Sequence, residues 1–177
     1  MERLIALLDQ KTKEIPERCF LNLPATEDEI REFELHMGLK LNESIRRFYL
    51  YCDGGFIATD QWDASTLKDE DMLPTVKWNS NYFLSLYEIY ESYHGSGKYM
   101  MLHLADVEEE HGPKLIPLIQ TDGQEMLVLD ASDPEKSGPV LDAFHEEPWR
   151  QWGSVYKSFE DLLEEYIRRE GRIKTIG

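Results

Sequence analysis

The chain has 177 residues, 41% of them apolar and 11% aromatic, and a formal net charge of −16. That length suits one domain with one core, and that apolar content excludes general disorder. The acidity argues against nucleic acid or an anionic membrane as partner, since both need clustered lysine and arginine. It is compatible with a basic protein partner, or simply with solubility.

The N-terminal apolar run, Leu4 to Leu8, is too short for a secretory leader or a membrane span. Cys19 and Cys52 form neither a CxxC pair nor a disulfide framework. A reduced core thiol at Cys52 and a cytoplasmic location are therefore expected.

Leu4, Leu7 and Leu8 predict a short first helix. Thr26 and Glu29 have the spacing of a capping box, in which each side chain satisfies the other's backbone N–H. Ile30, Phe33 and Met37 follow as the buried stripe, and Gly38 fits the stop. Asn42 caps a second helix with Ile45, Phe48, Tyr49 and Cys52 on one face, ended by Asp53-Gly54-Gly55. The polar stretch "TLKDEDML" within Asp60–Asn81 reads as a surface loop packed down by Trp62 and Trp78. Ser85 and Glu88 form a second capping box ahead of Leu86, Ile89, Tyr90 and Tyr93, with Gly95 as breaker.

Strand signals follow. Tyr99–Leu104 is apolar, and Leu115–Gln120 and Glu125–Leu129 flank Asp122-Gly123, a pair that predicts a tight hairpin with positive φ. Met126 to Leu129 is apolar on both faces and should be a covered, central strand. Pro117 should face an edge or a bulge. Pro139–Phe144 predicts a further strand, and Ser158 caps a last helix with Phe159, Leu162, Leu163, Tyr166 and Ile167 inward. Helices, then strands, then a helix give an α+β fold: a single domain with a mixed or antiparallel central sheet.

Residues 106–147 carry 12 acids against 2 bases, and so hold most of the net charge. The acids lie either on a solvated face or on a docking surface for a basic partner. Catalytic readings are weak. Glu108 and His111 make one Glu-x-x-His step near His103, but di-metal sites need two such steps and further carboxylates. No GxSxG, P-loop or GxGxxG pattern occurs. Carboxylates at turns and strand ends are normally solvated, whereas a general acid needs a raised pKa. No catalytic residue, metal or cofactor is expected.

Four segments together resemble the SUKH superfamily. They are "LPATEDEIREFELHMGLKLNESIRRFYLYCDGG", "FLSLYEIYESY", "LIPLIQTDGQEMLVLDAS" and "SFEDLLEEYI". The chain departs from the family pattern at Asn42 (usually proline), at Gln124-Glu125 (often glycine), and at Ala143-Phe144-His145-Glu146 (a Trp-x-His-type strand end). The Asp60–Trp78 stretch has no family counterpart. The resemblance implies one domain over residues 1–177, with its core at about 23–170, and binding rather than catalysis. It further implies an immunity protein that neutralises a toxin, often a nuclease, and the acidity of residues 106–147 adds an acidic docking surface to that expectation. On that reading Glu108, Glu109, Glu110, Asp122, Glu125, Asp130 and Asp133 contact the partner. The alternative is a general regulatory domain with a non-toxin partner.

Overall fold

The computed structural model describes residues 1–93, 114–123, 125–143 and 151–176. The strand expected at Tyr99–Leu104, the Glu108/His111 step, His103 and His145 lie outside them.

Local capping sets most of the helices. Helix α1 spans Glu2–Glu14 and buries Leu4 and Leu8, and is longer than its three leucines suggested. Helix α2, Glu27–Met37, starts on the Thr26/Glu29 capping box with both reciprocal bonds present, and stops at Gly38 with φ 63°. Its stripe Ile30, Phe33 and Met37 is buried. Helix α3, Glu43–Tyr51, is capped by the Asn42 side chain accepting the Ile45 N–H at 3.0 Å.

The polar stretch after Asp60 is more ordered than a surface loop. It forms a 3₁₀ turn at Thr66–Lys68 and a short helix α4, Leu73–Trp78, because Leu67 and Val76 bury themselves in the core. Trp62 packs against that core, but Trp78 stays 40% exposed and does not pack the stretch down. Helix α5, Leu86–Tyr93, begins on the Ser85/Glu88 box. Helix α6, Phe159–Arg168, begins on Ser158, whose hydroxyl accepts the Asp161 N–H at 3.2 Å.

Among the described residues seven strands form one sheet: β1 Cys19–Leu21, β2 Gly55–Ile57, β3 Tyr82–Phe83, β4 Leu115–Gln120, β5 Met126–Asp130, β6 Val140–Ala143 and β7 Ser154–Tyr156. Their order in space is their order in sequence, and every neighbouring pair is antiparallel. The fold is therefore α+β with an antiparallel sheet. Strand β5 lies between β4 and β6 with Met126 to Leu129 all buried, as its two-faced apolar run predicts. Pro117 sits where the β4–β5 register shifts, beyond the reach of two-residue β3, so its missing N–H costs no ladder bond.

Alternation assigns the helices to faces. Phe83 packs between α3 and α6, with ring centroids 4.9 Å from Phe48 and 5.0 Å from Tyr166. Its neighbour Tyr82 points to the opposite face, where Lys77 of α4 lies 4.5 Å above the ring. A helix on each side explains why all of β4 is buried.

The Asp122-Gly123 turn differs from expectation. Gly123 does not have a positive φ. One side-chain and one backbone bond close this turn: Thr121 Oγ1 accepts the Glu125 N–H at 3.0 Å, and the Thr121 N–H donates to the Glu125 carbonyl at 2.8 Å. The Asp122 N–H is held by Asn81 Oδ1 at 3.1 Å.

Candidate functional site

The acidic residues expected to contact a partner fall at two places. Asp122 is exposed at the β4–β5 turn, and Glu125 is half-buried beside it. Asp130 ends β5 and Asp133 follows it, about 17 Å or more away at ~3.3 Å per strand residue. Each has a turn role: Asp130 accepts the Ser132 N–H at 3.0 Å, and Asp133 accepts the Glu135 N–H at 2.9 Å. Lys136 reaches Asp133 only at 3.9 Å. The described members thus form two acidic ends of one hairpin rather than one cluster. Glu108, Glu109 and Glu110 lie outside the described residues.

Among the described residues no three of His, Cys, Asp and Glu converge as a metal site. Burial pushes the Cys52 thiol up to about 12 and that of Cys19 up to about 11, so both stay protonated and weakly nucleophilic at neutral pH.

A groove of about 390 Å³ runs between α2 and α5. The face of α2 next to its buried stripe supplies Glu29, Glu32 and His36, and the stripe itself supplies Phe33. Helix α5 supplies Tyr87 and Tyr90, and Asp53 also lines the groove. The His36 and Tyr90 rings lie 5.9 Å apart across the groove. Asp53 Oδ1 accepts the Leu86 N–H at 2.8 Å and so holds the start of α5. Burial raises the pKa of Asp53 above the ordinary carboxylate value, and the negative charges of Glu29 and Glu88 add to the shift. Glu88 is itself paired with Lys77 at 2.7 Å.

Two other hollows differ in charge. The one between α2 and the β5–β6 connection mixes Arg31, Lys40 and Lys114 with Glu34. The one along α6 neutralises itself through Arg168–Glu164 and Arg169–Glu165, both at 2.8 Å, and Lys174–Glu165 at 3.0 Å.

The groove was missed in the sequence because Tyr90 reads as part of a core stripe. Tyr87, off that stripe and 70% exposed, was the available signal: an aromatic residue at a helix position that packing does not require.

An antiparallel seven-stranded sheet carrying capped helices, with an aromatic groove and solvated acidic turns, defines a domain whose surface features suit binding. The chain belongs to the SMI1 / KNR4 family (SUKH-1), whose model matches residues 24–165. That span holds the groove and the β4–β5 hairpin alike. The family includes toxin-immunity proteins and implies protein–protein interaction in general. No curated protein matches the chain. Among the described residues no helix is long and apolar enough to cross a membrane.

Proposed function

We propose that the protein is a non-catalytic, cytoplasmic immunity protein that neutralises a basic, nuclease-type toxin by covering its cationic cleft. Family membership carries this reading, and the charge of −16 supports it. A nuclease must attract phosphates, so its cleft is basic. An inhibitor with displayed carboxylates is steered onto such a cleft and discriminates against neutral partners. Asp122, Glu125, Asp130 and Asp133, with Glu108, Glu109 and Glu110, form the steering surface on this reading. Asp122 and Asp133, as exposed turn residues, influence the rate of encounter more than the final affinity.

The test is capture at low salt from the native cell with the tagged protein, followed by co-expression of each captured partner. A basic nuclease domain that elutes with added salt, and whose toxicity the protein suppresses, supports the proposal. A stable complex without any toxic partner replaces it with a regulatory role. Undiminished neutralisation after charge reversal of Glu108, Glu109 and Glu110 removes those three from the surface.

A further inference from the structure

We infer that the partner anchors in the groove between α2 and α5, and that the anchor is an arginine flanked by apolar residues. This rests on the reading of the protein as a binder of a basic partner, and names where the complex is held rather than how it is steered.

Three observations carry it. The first is sign. The described residues lining the groove include the carboxylates of Glu29, Glu32 and Asp53 but neither lysine nor arginine, unlike the hollows beside the β5–β6 connection and along α6. The second is availability. Glu29 is committed to the α2 capping box, whereas Glu32 and Tyr87 make no side-chain hydrogen bond or ion pair among the described residues. Asp53 Oδ1 accepts the Leu86 N–H, and this half-buried carboxylate pairs with no cation among the described residues. The third is apolar surface. Tyr87 is 70% exposed, and Leu23 is 86% exposed beside Asp53, whose N–H donates to the Leu23 carbonyl at 3.1 Å.

An arginine fits this set better than a lysine. Its planar guanidinium stacks on a tyrosine face and meets a carboxylate with two parallel N–H donors. Its stem and the apolar residues beside it would cover Tyr87, Tyr90 and Leu23. The volume lies within the range of clefts that enclose small ligands, about 300–1,000 Å³. Binding hot spots concentrate in such desolvated pockets, while solvated rim charges contribute little to affinity.

The experiment is amide NMR of the full chain titrated at low salt with an acetylated Gly-Leu-Arg-Leu-Gly peptide and its citrulline analogue. Glu32→Lys and Tyr87→Ala are the test variants; both sites are exposed, and the spectra confirm that each folds. The expected result is saturable shifts centred on α2 and α5, loss of binding with citrulline, and weakening of about tenfold in each variant. Shifts centred elsewhere, unchanged affinity in both variants, equal binding of the citrulline peptide, or no shift at millimolar peptide would overturn the inference. Concentration-dependent shifts of the same residues without peptide would identify a second copy of the chain as occupant and overturn it too. Toxin rescue is read separately. Rescue undiminished by both variants keeps the immunity reading and removes the groove; peptide docking without any neutralised toxin does the reverse.

Discussion

The hydroxyl of Tyr166 accepts the backbone N–H of Ile57 at 2.8 Å and donates to the Asn81 carbonyl at 2.9 Å. One phenol on α6 thereby satisfies two backbone groups of the sheet, at the end of β2 and just before β3. Asn81 extends the chain of bonds. Its Nδ2 donates to the Gly171 carbonyl at 3.0 Å, and its Oδ1 accepts the Asp122 N–H at 3.1 Å. The exposed acid at the β4–β5 turn is therefore fixed by buried groups that also dock the C-terminal helix.

Tyr166→Phe is expected to destabilise the fold by about 1–3 kcal/mol, since the ring still packs but a buried N–H and a carbonyl lose their partner. Urea denaturation should show a lower midpoint with an unchanged slope. An unchanged midpoint would mean that the backbone groups find other partners.

Gly54 joins α3 to β2 with φ 76°, and a Cβ there would lie 2.5 Å from the Phe83 carbonyl oxygen. Gly54→Ala therefore combines left-handed strain with a backbone clash in the sheet, and a loss of more than about 2 kcal/mol is expected. Thermal melting gives the readout. A variant that melts with the parent would show that β2 can retreat from β3 without loss.

What was legible in the sequence follows from the range of each interaction. The caps at Thr26, Asn42, Ser85 and Ser158 all act three residues ahead, so the letters alone place four helix starts. β5 was legible because its apolar run is long enough to show that both faces are covered. Strands β1, β2, β3 and β7 have two or three residues each and carry no readable alternation. They exist because distant segments pair with them. The same distinction governs the site. Asp122 and Asp133 are close in sequence, but β5 holds them apart. The groove depends on α2 approaching α5, and nothing local to Tyr87 reports that.

The two thiols should differ from a reactive cysteine in a simple assay. Cys52 is buried, with a pKa pushed up to about 12, and Cys19 is partly buried, with a pKa of about 11. At pH 8 an aromatic disulfide reagent is expected to label Cys52 only as fast as the protein opens, and Cys19 much more slowly than a free thiol. Immediate labelling of Cys52 in the folded protein would contradict its place in the core.

Asp53 predicts a pH dependence of definite sign. Its folded pKa lies above its ordinary value, chiefly because burial disfavours the charge, with Glu29 and Glu88 adding to it against the Leu86 N–H. The folded state therefore holds this proton more tightly than the unfolded chain does. The associated stability is fully present below the unfolded pKa and is lost as pH rises through the folded value. Asp53→Asn keeps an oxygen for the Leu86 N–H and has no charge to desolvate. Its stability relative to the parent should therefore improve as pH rises from 4 to 7, read from paired denaturation curves. The opposite trend would mean that the carboxylate's bond to the α5 N-terminus outweighs its burial. In that case Asp53 would be a helix anchor whose charge is already compensated, with less to offer an incoming guanidinium.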